Sequence, residues 1–122
     1  MKPTSLLFIR LGLAASMLGH GIVRLPKLTK FAAGVVEGFS ETLLPEVMVW
    51  PFAYAIPVVE LVTGLLLLVG FKLKETAIVV SGLMIFLILG TCLQENWGAL
   101  TSQLVHLAFA VLLIEFGKGK VE

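Results

Sequence analysis

A chain of 122 residues that is 58% hydrophobic and only 14% charged lacks the polar surface to cover itself in water, where about a quarter of an average domain is charged. Its mean hydropathy of +1.03 excludes an ordinary soluble domain and places the chain in a lipid bilayer; at this length, residues 1–122 are expected to form one domain. The net charge of +1, without a dense basic cluster, offers nothing to nucleic acid, and the lone Cys92 rules out an internal disulfide.

Four apolar runs are long enough to cross a bilayer as helices, at about 20 residues each. They cover about residues 5–23, 47–69, 76–93 and 100–116. The runs are continuous rather than alternating, so the predicted fold class is an all-α membrane protein, a four-transmembrane-helix up-down bundle, and not a barrel. Residues 1–21 have the basic start and apolar run of a signal peptide. Arg10 interrupts that run and no small-x-small cleavage site follows, so a retained first span is expected.

The connection from Arg24 to Glu46 is the one long loop. Within it Phe31, Val35, Phe39 and Leu43 recur at helical spacing, with Lys30, Glu37 and Glu41 on a wetter side. This predicts an interfacial or partly re-entrant helix over 29–44, with a plain surface loop as the alternative, because Gly34 and Gly38 weaken a helix. Lys2, Lys72, Lys74, Lys118 and Lys120 fall on one side of a four-span layout, and Arg24, Lys27 and Lys30 on the other. The bias puts both termini in the cytoplasm, in the inner (cytoplasmic) membrane. Trp50 and Trp97 then share the outer interface, where indole rings prefer to lie.

Polar groups inside the spans carry the functional expectations. Glu60 lies near the middle of the second span, where a charge is expensive. Counted from the outer ends of their spans, Arg10 and Glu60 are both roughly 20 Å deep at 1.5 Å per residue. A buried Arg10–Glu60 ion pair is therefore expected, against an Arg10 that snorkels to the interface and a protonated Glu60. Nearer the outer face, His20 and Arg24 are one turn apart, and Gln103 and His106 share a face of the fourth span. With Trp50, Tyr54 and Trp97 at the same level, these residues outline a candidate ligand pocket.

Two imidazoles on different helices suit a haem iron, a metal, or the head group of a quinone. With no third ligand and no CxxCH, metal and haem have least support, and a structural pair of hydrogen-bonded histidines is the plain alternative. Small residues at Gly12, Ala15, Ser16 and Gly19 are expected to bring a neighbouring helix close, as is Gly64 one turn after Glu60. Pro57 predicts a kink beside the acid, and the uncharged third span is expected to face lipid or a partner. No nucleophile–base pair, phosphate-cradling loop or paired catalytic carboxylate is present in the pattern.

Arg10, the run Gly12…His20-Gly21 with Arg24 or Lys27 after it, and Pro57-x-x-Glu60-Leu61-x-x-Gly64…Gly70 followed by a short basic turn resemble the DoxX family. The resemblance covers most of the chain. It implies a small four-helix bacterial membrane protein, related to a subunit of a thiosulfate:quinone oxidoreductase and to members linked with redox complexes. It transfers no catalytic residue. The expected function is thus a membrane subunit of a redox or quinone-linked system, partnered by the bilayer and a membrane redox enzyme or larger complex. A homo-oligomer is compatible with the pattern. The alternatives are an accessory subunit without chemistry of its own and, third, a small transporter; four-span exporters carry one membrane acid, but in their first helix and with no nearby arginine.

Overall fold

The computed structural model describes residues 1–117; Lys118 and Lys120, two of the cations in the orientation reading, lie outside them. Five α-helices follow one another: α1 (Pro3–Arg24), α2 (Leu28–Gly38), α3 (Glu46–Val69), α4 (Leu73–Leu93) and α5 (Trp97–Phe116). Four of the helical segments are long and apolar enough to cross a membrane, the first running from α1 through α2 to Gly38. The protein is an all-α membrane bundle.

The boundaries have local causes. Pro3 opens α1, where a missing N–H costs nothing. At the far end, Leu25–Lys27 tightens into a single 3₁₀ turn containing Pro26, and Lys27 leaves helical geometry (φ −127°, ψ 42°) before α2 begins. Helix α3 closes on Gly70, which takes the left-handed conformation (φ +76°) and donates its N–H to the Leu66 carbonyl at 2.9 Å. A glycine is the usual residue for that cap because it carries no Cβ. Helix α3 stays helical through Pro51 and Pro57, as bilayer helices do when neighbours supply the packing.

Helix α1 packs chiefly on α3, and α4 on α5; the α3–α4 and α1–α5 contacts close the ring. The core comprises Leu13, Ala14, Met17, Leu67, Leu73, Ala77, Val80, Met84, Ala110 and Leu113. It fills the half of the bundle away from α2. The α4 expectation changes accordingly: one flank is buried against α5, and the opposite flank, with Ile85, Phe86 and Leu89 exposed, faces outward.

The predicted loop helix is present but shorter, ending at Gly38. Phe31 and Val35 turn inward and Ala32 is fully buried, whereas Leu43 lies beyond the helix and is 92% exposed. Phe39 then reaches α4, its ring tip filling the space that a side chain at Gly90 would need.

The α1–α3 seam sets the register of everything polar. Gly21 lies against the backbone of Leu61, and Gly64 against the backbone of Leu18, so closely that a Cβ at either glycine would fall 2.8–2.9 Å from those atoms. Antiparallel helices in this register put Arg10 level with residue 72, twelve residues or roughly 18 Å from Glu60. The glycines expected to mediate contact on the other side of α1, Gly12 and Gly19, have nothing within 4 Å. That face of α1 is open.

Candidate functional site

Glu60 pairs with Arg24 and not with Arg10. The Arg24 guanidinium NH1 donates to both carboxylate oxygens of Glu60, at 3.0 and 3.3 Å. The acid is almost fully enclosed, with 5% of its side chain exposed, and its partner is at 29%. Expecting Arg10 here assumed that the first two spans begin at one plane. In fact α3 extends past the end of α1, so Arg24, at the last residue of α1, meets α3 at its middle. Arg10 lies at the opposite end of the bundle, against the Gly70 backbone at the close of α3. There its positive charge faces the negative end of the helix dipole.

Above the ion pair, Arg24 carries the α2 aromatic ring of Phe31 4.5 Å from its guanidinium carbon. A cation held against an aromatic face and a carboxylate at once has little freedom left. The short helix α2 thereby takes part in the site: it holds the arginine in place from the loop side.

The histidines meet as expected, with ring centroids 6.2 Å apart in an edge-on arrangement. Their tautomers follow from backbone contacts, since a carbonyl only accepts. His20 Nδ1 lies 2.6 Å from the Ser16 carbonyl and His106 Nδ1 2.7 Å from the Ser102 carbonyl, so each ring carries a proton on Nδ1, and in the neutral form Nε2 is the acceptor. Ser16 Oγ, 2.6 Å from His106 Nε2, is then the donor. This serine ties α1 to α5. On α5, Gln103 Nε2 donates to Thr91 Oγ1 on α4 at 2.7 Å, while Gln103 Oε1 is buried with no partner.

Met17, His20, Arg24, Glu60, Met84, Leu87, Ala99, Ser102, Gln103 and His106 line a half-open cavity of about 200 Å³. Four of the seven residues expected to outline a pocket therefore come together: His20, Arg24, Gln103 and His106. The three aromatic residues do not. Trp50 and Tyr54 stack on each other at 5.8 Å, and the Trp50 indole donates to Glu46 at 3.0 Å. In the register of the α1–α3 seam they lie ten and six residues, roughly 15 and 9 Å, along α3 from Glu60, level with α2 rather than with the cavity. Trp97, at the start of α5, is 58% exposed. Depth counted from span ends does not make a shared site.

A second hollow of about 480 Å³ runs along the open face of α1, lined by Ala15, Ser16, Gly19, His20, Val23 and Arg24. His20 and Arg24 belong to both hollows. Sequence reasoning missed Ser16 as a functional group and counted it only as a small residue; its place one turn before His20 was the available signal. It also missed Thr91, which positions Gln103, and Phe31, which positions Arg24. Among the described residues, no group of three or more His, Cys, Asp or Glu gathers where a metal would sit.

The family model for DoxX matches residues 5–92, from the start of α1 nearly to the end of α4. The chain belongs to the DoxX family. The match takes in Arg24, Glu60, both seam glycines and the loop helix α2, and it stops short of Gln103 and His106 on α5. Searches of curated proteins and of solved structures give no match to this DoxX chain.

Proposed function

We propose that this DoxX protein is a membrane subunit of a redox system linked to a lipid-soluble carrier of the quinone class. The cavity among α1, α3, α4 and α5 receives the carrier's head group, and a partner enzyme carries out the electron transfer. The observation that supports this reading is the joining of two hollows at His20 and Arg24. One is small and polar, set among the four spans; the other is a groove of small and apolar residues on a face of α1 that no helix of this chain covers. A cavity of about 200 Å³ has the volume of about seven waters, which suits a single substituted ring. An amphiphile with a ring head and a hydrocarbon tail has the matching division of polarity.

In this reading the ion pair is wall rather than reagent. Glu60 fixes Arg24, and Arg24 offers its remaining N–H groups to the cavity. The distribution of Lys and Arg supports an inner-membrane location with both termini cytoplasmic, so the cavity lies toward the outer face. A proton-coupled transporter is less well supported, because Glu60 already has a counter-ion.

The test is to purify the protein in its native lipid and to extract and weigh what accompanies it. A quinone near one per chain is the expected result. Gly19→Leu fills the groove without disturbing the fold, since Gly19 has nothing within 4 Å, and it should lower quinone retention at unchanged folded yield. A wild-type protein that carries no quinone above the level of the bulk lipid contradicts the proposal.

A further inference from the structure

Helix α1 carries two arginines, and the protein supplies a counter-ion to one of them. Arg24 has Glu60, in the one ion pair among the described residues. Arg10 pairs with no acid there and spends none of its N–H groups on a described residue. Its Nε is enclosed by the protein without a partner. Its NH1 rests against Gly70, where a Cβ would come within 2.8 Å of it. The end of α3 offers this guanidinium about half a negative charge, which is less than a counter-ion.

The surroundings decide what can supply one. In the register of the α1–α3 seam Arg10 is level with the α3–α4 turn. On its N-terminal side α1 is still apolar and faces outward, with Leu7 and Phe8 exposed. The guanidinium therefore lies within the margin of the apolar layer, where a charge without a partner is costly. In the same turn Phe71 is exposed and carries the Lys72 ammonium 5.9 Å from its ring centroid. An aromatic ring beside a lysine is what the boundary between acyl chains and head groups favours. The anions at that boundary are lipid phosphates, and a guanidinium takes two phosphate oxygens at once in its planar fork. With Nε enclosed, the two terminal nitrogens are the ones that form it. Among the described residues this end of the bundle holds Lys2, Arg10, Lys72 and Lys74 against Glu75 and Glu115. That excess of cations favours a head group of net negative charge over a zwitterion.

We infer that Arg10, beside the Gly70 turn, seats the phosphate group of an anionic phospholipid. The site is at the end of the bundle opposite the cavity and is independent of the quinone reading.

The test titrates lipid-free protein in neutral detergent with phosphatidylglycerol or with phosphatidylcholine of the same chains, and counts bound lipid by native mass spectrometry. The first phosphatidylglycerol is expected to bind about tenfold more tightly than the first phosphatidylcholine. Arg10→Met keeps the apolar stem and should abolish that preference, with a monodisperse elution profile showing that the variant folds. Lys72→Gln combined with Lys74→Gln should lower it by less. Equal binding of the two lipids overturns the inference. So does an equal loss in the lysine double variant, which would mean diffuse attraction rather than a seat at Arg10. Inorganic phosphate is the third probe. If it displaces the lipid at millimolar concentration and stabilises the lipid-free protein through Arg10, the site takes a free anion and the lipid assignment falls. A measurement on the unaltered chain stands beside the variants. Phosphatidylglycerol with a diazirine on its head group should label the peptides spanning residues 2–10 and 70–74, and label confined to other segments overturns the inference.

Discussion

Helix α1 has two seams built on opposite rules. Toward α3 it is dry and close: Gly21 and Gly64 let the two backbones touch, and one ion pair locks the register. Toward α5 it is looser and polar: the contact is a serine hydroxyl on a histidine, with a cavity beside it. In a bilayer no hydrophobic force draws helices together, so close packing at small residues is what makes a seam strong. The α1–α3 seam has that packing. The α1–α5 seam gives it up for space and for hydrogen-bonding groups, as a binding site requires. In the proposed reading the difference separates Gly21 and Gly64, which hold the bundle, from Ser16, His20 and His106, which would face the ligand, with Arg24 serving both seams.

The largest effect is expected at the ion pair. Arg24→Met leaves a nearly enclosed carboxylate without its counter-charge and should cost about 3–5 kcal/mol in unfolding measured in mixed micelles. Adding Glu60→Leu to that variant should restore most of the loss, since an apolar pair of similar volume is often neutral. Arg10→Met should cost under about 1 kcal/mol. If Arg10→Met and Arg24→Met prove equally harmful, the register drawn from the glycines is wrong.

Next come the glycines. Gly64→Ala puts a Cβ 2.8 Å from the Leu18 backbone nitrogen, which cannot yield as a side-chain tip would, and about 1–3 kcal/mol of destabilisation is expected. Gly12→Ala, on the open face, should be neutral or stabilising by roughly 0.5–1 kcal/mol, because alanine is the better helix former. Thermal melting of the two variants side by side distinguishes the closed face of α1 from the open one.

Smaller again is the polar seam. Ser16→Ala removes the hydroxyl that bonds His106 across the α1–α5 seam and should cost about 0.6 kcal/mol, the average for such bonds in membranes. Its effect on ligand retention should exceed its effect on stability. Smallest of all, Trp50→Phe and Tyr54→Phe should change stability by less than about 0.5 kcal/mol and leave retention unchanged, since neither ring lines the cavity.

Hydropathy made the helices legible. The first apolar run, over 5–23, became Pro3–Arg24, and the second, over 47–69, became Glu46–Val69. The four residues that meet in the cavity were legible too, because i, i+3 and i, i+4 spacing puts two polar groups on one face of a span. Register was not. Counting depth from the end of each apolar run assumes that neighbouring helices start at one plane, but α2 continues the first spanning segment to Gly38 and leaves α3 overlapping only part of α1. Gly21 and Gly64 held the correct register, yet a glycine in sequence does not say which backbone it will touch. The exclusion of Trp50 and Tyr54 was hidden for the same reason: α3 runs past the end of α1, so both rings lie level with α2 and not with the cavity.

The most direct test of the two-seam account is photolabelling in membranes with a quinone carrying a diazirine on its ring. Label is expected on the peptides spanning residues 16–24 of α1 and 99–106 of α5, displaced by excess unlabelled quinone and lost in Gly19→Leu. Label concentrated around Trp50 and Tyr54, or spread over the exposed flank of α4 without competition, would contradict the placement of the ligand between α1 and α5.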